Sequence, residues 1–375
     1  MNALKKLEEC RQSPWLDDLH RTLYTSGELD RLIREDGLKG LTSNPAIFEK
    51  AIGHTDDYTD TLKQLLGNPK LDDMGVYESI AIADVQAAAD RFRPVYDAAG
   101  GHDGFVSLEV SPYIANDTDK TIADARRLWK AVGRPNLMIK IPGTDAGTPA
   151  IRQAISEGIN VNVTLLFSVK AYEDVAHAYV AGLKDFAAKG GDPSTVASVA
   201  SFFLSRIDSA VDGKLDKLTG GDQTLVDKAR SKIAIANAKR AFQKAKAVYA
   251  GPEWRALADR GAKPQRLLWA STSTKSPALP DTYYVDNIIG ADTVNTMPPE
   301  TMKAFRDHGA AEPDTIERDV DGAEASLDAL GKLGISLDQV THDLVIDGVK
   351  KFSEAFDKLL AGVAKRRKEI NPKAA

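Results

Sequence analysis

Asn136-Leu137-Met138-Ile139-Lys140-Ile141-Pro142 is a short apolar run with a single cation in its middle. It follows Pro135 and runs into Pro142-Gly143, too short for a helix and bounded by residues that end regular structure, so it predicts a buried strand over Asn136–Ile141. On either side the periodicity changes. Thr118–Val132 before it and Thr148–Glu157 after it carry apolar residues at helical spacing. Strand flanked by helices is the unit of a parallel sheet, because parallel strands need crossovers of a dozen or more residues.

Moving outward, the same pattern recurs. Further strands are expected at Trp15–Leu19, Leu38–Thr42, Phe105–Val110, Asn160–Leu165, Val196–Phe202, Arg266–Ala270 and Thr282–Val294, making eight. Asp286, Asn287 and Gly290 interrupt the last of these, which reads equally as a strand plus a turn. Helices are expected at Gly27–Glu35, several across Asp56–Ala99, at Ser168–Ala188, and as one long helix from Gln223 to Tyr249. Eight strand–helix repeats predict an α/β fold of the (β/α)8 barrel type, a single domain over 1–375. The extra length goes into a helical insertion at about 50–103, between the second and third strands, and into C-terminal helices at about 298–370. The last of these, Leu337–Ala364, ends in Lys365-Arg366-Arg367-Lys368, four cations expected to complement the helix dipole in solvent. Gly190-Gly191-Asp192 and Gly220-Gly221-Asp222 read as turns.

Composition narrows the function. The 375 residues carry 49 Lys and Arg against 54 Asp and Glu, a formal net charge of −5. That is the wrong sign for a protein that coats nucleic acid or anionic lipid, so any anion site must be local. No run reaches the ~18–20 apolar residues of a membrane span. One cysteine, Cys10, can form neither an internal disulfide nor a cysteine zinc cage, and the start lacks an apolar leader, so a cytoplasmic location is expected. The six histidines are scattered, without the paired spacing of a metal site. No Gly-x-Gly-x-x-Gly follows the first strand, and no phosphate-loop motif is present, so no nucleotide cofactor is expected. The sequence does not distinguish a monomer from a homo-oligomer.

In such a barrel the C-terminal strand ends converge on one mouth. The polar residues there are Asp17 and Asp18 on the first strand, Ser43 and Asn44 after the second, and Glu109 and Ser111 on the third. Lys140 follows on the fourth, Asn162 and Thr164 on the fifth, Ser201 and then Arg206 on the sixth, and Ser271, Thr272, Ser273 and Lys275 on the seventh. Lys140 stands out because nothing about solubility calls for an ammonium inside an apolar strand. Loss of water favours the neutral amine, which attacks a ketone carbonyl to give a Schiff base, an electron sink for making or breaking the adjacent C–C bond. A purely structural ion pair of Lys140 with Glu109 or Asp17 is the alternative.

Five motifs in order at these strand ends resemble transaldolase in its longer bacterial form. They are Thr42-Ser43-Asn44-Pro45, Val106-Ser107-Leu108-Glu109-Val110-Ser111-Pro112, Met138-Ile139-Lys140-Ile141-Pro142-Gly143-Thr144, Asn160-Val161-Asn162-Val163-Thr164-Leu165 and Ser201-Phe202-Phe203-Leu204-Ser205-Arg206-Ile207-Asp208. The resemblance extends from Leu16-Asp17 to Asp292–Thr301. It implies a transferase moving a dihydroxyacetone unit from sedoheptulose 7-phosphate or fructose 6-phosphate to glyceraldehyde 3-phosphate or erythrose 4-phosphate, in the non-oxidative pentose phosphate pathway, with no metal or organic cofactor.

By that resemblance Lys140 forms the Schiff base and Asp17 takes the C4 hydroxyl proton as C3–C4 breaks; strand alternation lets only one of Asp17 and Asp18 point inward. Glu109 and Thr164 match a pair that holds a water for the proton transfers. Asn44, Asn162 and Ser201 match polar contacts to substrate, Phe203 a mouth-lining aromatic and Arg206 a phosphate ligand. Asn44 before Pro45 is equally a turn residue and Phe203 equally a core residue. The departure is on the seventh strand, where many transaldolases carry Ala-Ser-Phe-Arg. Here Trp269-Ala270-Ser271-Thr272-Ser273-Thr274-Lys275 offers Lys275 as the second cation, with Ser271 or Ser273 as hydroxyl donors. A relative that releases free dihydroxyacetone, and a non-catalytic sugar-phosphate-binding barrel, are the other functions the sequence admits.

Overall fold

The computed structural model describes residues 2–65, 68, 70–220 and 222–370. Leu66, Gly67 and Pro69 of the expected helical insertion, and Gly221 of the second glycine turn, lie outside the described residues. Eight strands close into a barrel in chain order: β1 Gln12–Asp17, β2 Gly40–Thr42, β3 Phe105–Glu109, β4 Leu137–Pro142, β5 Val161–Leu166, β6 Ser198–Phe203, β7 Arg266–Ala270 and β8 Thr293–Met297. All eight neighbouring pairs are parallel, so every strand ends at the same mouth.

The flanking helices begin where the sequence supplies caps. Asp117 accepts from the Lys120 amide to open Thr118–Val132, which Gly133 ends in the left-handed conformation. Ser168 caps Val169–Ala188 in the same way. Inside the barrel the lumen is filled, and Trp15 is the largest plug. Gly40 makes room for it, since a Cβ at that position would sit 2.5 Å from Trp15 Cε2. Truncating so deeply buried an indole would cost about 3–5 kcal/mol.

Four expectations need correction. Thr282–Val294 is not a strand throughout: Tyr283–Asn287 is a short helix and β8 starts only at Thr293. The β-branched and aromatic content of Thr282–Val285 mimics a strand, but this stretch packs outside the barrel and its helical turn is closed by the Asp286 amide bonding the Thr282 carbonyl. The long helix expected from Gln223 to Tyr249 is two, Gln223–Ala229 and Ile233–Ala250, broken at Ser231, which has φ +56°. Asp212 holds that break by accepting from both the amide and the hydroxyl of Ser231.

β1 begins three residues earlier than expected, because polar Gln12 and Ser13 face buried partners: Gln12 donates to the Ile288 carbonyl and Ser13 to Asp103. Finally, the C-terminal basic cluster does not lie beyond its helix. Leu337–Ile370 is one continuous helix. Arg366 donates to Thr59 Oγ1 (2.8 Å) and Arg367 to Asp73 Oδ1 (2.5 Å) and the Leu71 carbonyl (3.0 Å), pinning the helix to the segment between β2 and β3.

That segment contains the helices Pro45–His54, Thr59–Leu65 and Asp73–Ala98. The last makes the crossover to β3, and the first packs along the C-terminal helix. Two helices absent from the sequence reading, Ser205–Leu215 and Pro252–Ala258, complete the passage from β6 to β7. Among the described residues no helix is long and apolar enough to cross a membrane.

Candidate active site

Parallel register sets the site. Glu109 lies opposite Lys140 across β3 and β4, and Lys140 opposite Asn162 across β4 and β5, so alternation turns all three into the lumen at one level. Lys140 is buried, and its Nζ sits 3.7 Å from Glu109 Oε2 and 3.2 Å from the Ser43 carbonyl, to which it donates. Both carboxylate oxygens of Glu109, and the hydroxyl of Thr164, are buried without a hydrogen-bond partner. Burial pushes the Glu109 carboxyl up to about 7, against the pull of Lys140 and with a further push from Asp17. A carboxyl poised near neutrality with unfilled hydrogen-bonding capacity can both give and take a proton there.

Asn162 is held on both sides, its Nδ2 donating to Ser107 Oγ (3.0 Å) and its Oδ1 accepting from Ser201 Oγ (2.7 Å). Asp17 closes β1, and its Oδ1 accepts from Thr42 Oγ1 at 2.7 Å; Thr42 also meets Thr296 Oγ1 at 2.7 Å. Asp18 lies past the end of the strand and turns elsewhere, 3.6 Å from His20 Nε2, with burial pushing its carboxyl up. Asn44 does two jobs. Its Oδ1 accepts from the Ile47 amide to cap Pro45–His54, which leaves the amide nitrogen as the group it can offer a ligand.

A cavity of about 200 Å³ joins these groups. Asp17, Asn44, Lys140, Ser201, Phe203, Arg206, Ser271 and Lys275 all line it. Glu109, Thr164 and Asn162 stand in the barrel wall beside Lys140. The Arg206 guanidinium lies 5.1 Å from the Phe203 ring, and one of its terminal nitrogens is buried with no partner; desolvation holds its pKa below the ordinary value. An unpartnered, partly dehydrated guanidinium is a ready anion ligand. Lys275, exposed at the rim, donates to Ser273 Oγ at 2.9 Å. Ser271, in the left-handed conformation at φ +57°, turns the chain at the end of β7 and meets Ser205 Oγ at 2.9 Å.

The cavity also has walls that sequence reading did not assign to it: Thr42, Thr296, Pro298 and Phe352. Thr42 and Thr296 could have been found from their strand-end positions. Phe352 comes from the C-terminal helix, and only its placement in space brings it within 5.8 Å of Lys140 Nζ.

Of the larger clefts, one adjoins this cavity and one lies well outside it. One of about 550 Å³ shares Asp17, Asn44 and Pro298 with the cavity and opens it toward solvent past Asp18 and His20. The other, about 430 Å³, lies on the outer helices, where the Lys239 ammonium is spent on the carbonyls of Thr315 and Arg318. Among the described residues no three His, Cys, Asp or Glu side chains gather in a way that could hold a metal ion.

The chain is similar to known proteins over nearly its whole length. The family model for transaldolase/fructose-6-phosphate aldolase matches residues 14–363. The transaldolase of Trichodesmium erythraeum is 46% identical over 380 residues, covering 99% of each chain. Transaldolase 2 of a Nostoc species is 47% identical with the same coverage, and the transaldolase of Acidothermus cellulolyticus 48% over 97% of this chain and 96% of its own. The chain belongs to the transaldolase/fructose-6-phosphate aldolase family.

Proposed function

We propose that this protein is a cytoplasmic transaldolase that carries a dihydroxyacetone unit from a ketose phosphate to an aldose phosphate on Lys140. The observation that carries the reading is the pairing of Lys140 with a carboxylate that no hydrogen bond satisfies, in a cavity whose other end presents Arg206 and Lys275. The neutral Lys140 amine adds to the ketose C2, and the carbonyl oxygen takes a proton to give a carbinolamine. Glu109, acting with Thr164 through a water, protonates the leaving hydroxyl, and water departs as C2=N forms.

Asp17 then removes the C4 hydroxyl proton. The C3–C4 electrons flow into the iminium, the aldose phosphate leaves, and a three-carbon enamine stays on the lysine. Addition of C3 to a second aldehyde reverses the steps, with Asp17 returning the proton. Asn162 and Ser201, which hold one another, and the Asn44 amide fix the hydroxyls. Arg206, with Lys275 at the rim, takes the phosphate dianion, so the remote phosphate positions the reacting carbons.

A Glu109 in place of glutamine beside the lysine resembles the transferase branch over the branch that releases free dihydroxyacetone. A coupled assay converting sedoheptulose 7-phosphate and glyceraldehyde 3-phosphate, run beside Lys140→Ala, tests the proposal: turnover by the wild type and none by the variant is expected. Turnover that survives the substitution contradicts it. Comparing rates with and without erythrose 4-phosphate separates transfer from release.

A further inference from the structure

We infer that Phe352 decides the fate of the three-carbon unit on Lys140, covering it so that it passes to an aldehyde and is not released by water as free dihydroxyacetone. The inference rests on the Schiff-base reading above and concerns what happens after the first C–C bond breaks.

The C-terminal helix is seated on the mouth by a fitted contact. Gly348 packs on Leu165, the residue after Thr164, and a Cβ at position 348 would lie 2.8 Å from Leu165 Cδ2. Leu165 itself is held at φ +60°, where a residue with a side chain is disfavoured, at the point where the β5–β6 register shifts. The strand end is thus bent, at a cost of order 1 kcal/mol or more, into the surface that receives the helix. One turn on, Phe352 lies on the same face as Gly348, which puts its ring in the cavity 5.8 Å from Lys140 Nζ. The next turn fixes the depth. Phe356 meets Tyr77 edge-on at 5.4 Å and Tyr113 at 5.5 Å, and the far end is tied down by Arg366 and Arg367.

Chemistry says what such a roof does. The enamine has two fates that differ only in the electrophile at C3. In transfer, C3 bonds to the aldehyde carbon, whose oxygen takes the Asp17 proton, and water added at C2 then breaks the C2–N bond to free the new ketose. In release, C3 takes a proton, water adds to C2, the C2–N bond breaks, and dihydroxyacetone and the lysine amine are freed. Both fates end in the same hydrolysis at C2, so they part at C3, one bond from C2, where a proton from water competes with the aldehyde under the Phe352 ring. An apolar cover over the enamine keeps out the water that would protonate C3 before the aldehyde arrives.

The experiment is the ratio of dihydroxyacetone released to units transferred, with fructose 6-phosphate as donor and erythrose 4-phosphate as acceptor, in wild type, Phe352→Ala and Phe352→Leu. A ratio per turnover is unaffected by the fraction of protein that folds. Phe352→Ala is expected to raise it roughly tenfold or more, and Phe352→Leu, which keeps most of the bulk, by no more than about threefold. An alanine variant with the wild-type ratio, or a leucine variant as leaky as alanine, overturns the inference. Borohydride trapping in the same reactions keeps the two readings apart. No Lys140 adduct in the wild type defeats the Schiff base itself, whereas adducts throughout with an unchanged ratio defeat only the role of Phe352.

Discussion

The two ends of the barrel lumen each bury a cation beside a carboxylate, and they treat the pair in opposite ways. At the bottom, Arg266 lies 3.3 Å from Asp103, whose oxygens also accept from the Trp15 indole nitrogen (2.8 Å) and from Ser13. Arg266 donates in turn to Ser13 at 2.8 Å. At the mouth, Lys140 and Glu109 are as deeply buried, yet their separation is 3.7 Å and neither Glu109 oxygen has a hydrogen-bond partner. The bottom carboxylate is saturated with donors, so it closes the barrel. The mouth carboxylate is left wanting, so its protonation remains available to chemistry, and the fold bears the cost of keeping it there.

Substitutions can break this contrast. Lys140→Ala should lower transfer by on the order of 10⁴-fold or more, because in the proposed mechanism no other group forms the covalent bond. Its melting temperature, followed by circular dichroism, should not fall by more than a few degrees. Arg266→Ala should do the reverse. It strands a buried Asp103, costing about 3–5 kcal/mol in denaturant unfolding, while kcat per folded molecule stays near that of the wild type. If Lys140→Ala proved as destabilising as Arg266→Ala, the mouth pair would be structural too.

Glu109→Gln sharpens the comparison through pH. A loss of about 10²–10³-fold in kcat is expected, together with disappearance of a rate limb near pH 7. The same group leaves a mark on stability. Its carboxyl titrates at about 7 in the fold against an ordinary 4.5. Its contribution relative to glutamine is therefore fully present below about pH 4.5 and is lost as pH rises through 7. The difference between wild type and variant should shrink by about 3 kcal/mol across that window. Asp208, buried beneath Tyr284 and likewise pushed up to about 7, titrates in both proteins and cancels in the difference. Unfolding curves of the two proteins at pH 5 and pH 8 read it out.

Smaller effects belong to the phosphate end. Arg206→Ala should raise KM for fructose 6-phosphate about 10–100-fold, the value of a buried charge-assisted contact. Lys275→Ala, at the exposed rim, should raise it about two- to fivefold and make it less sensitive to salt. Equal effects would mean that the rim lysine is no mere helper.

Much of this was legible in the sequence for a physical reason. Strands buried on both faces read as apolar runs, and β7 is found residue for residue at Arg266–Ala270. Lys140 announces itself as a charge inside such a run, Asp17 as one that closes a run and Arg206 as one just past another. Asp103 and Arg266 were passed over because a satisfied core pair carries no mark in a sequence: one ends a glycine-rich loop and the other begins a strand. Phe352 could not be read at all, since its function comes from where a helix beginning some two hundred residues after Lys140 happens to lie. Gln223–Tyr249 misled because a single left-handed serine, held by a distant aspartate, leaves helical periodicity intact on both sides.

The central claim is that the unsatisfied pair at the mouth makes Lys140 a nucleophile. Reducing the protein with borohydride in the presence of fructose 6-phosphate, then mapping the modified peptide by mass spectrometry, tests it directly. The account predicts one reduced three-carbon unit on Lys140, blocked by Lys140→Ala and leaving the other lysines unmodified. A folded protein that turns over substrate without this adduct, or carries it on another lysine, would contradict it.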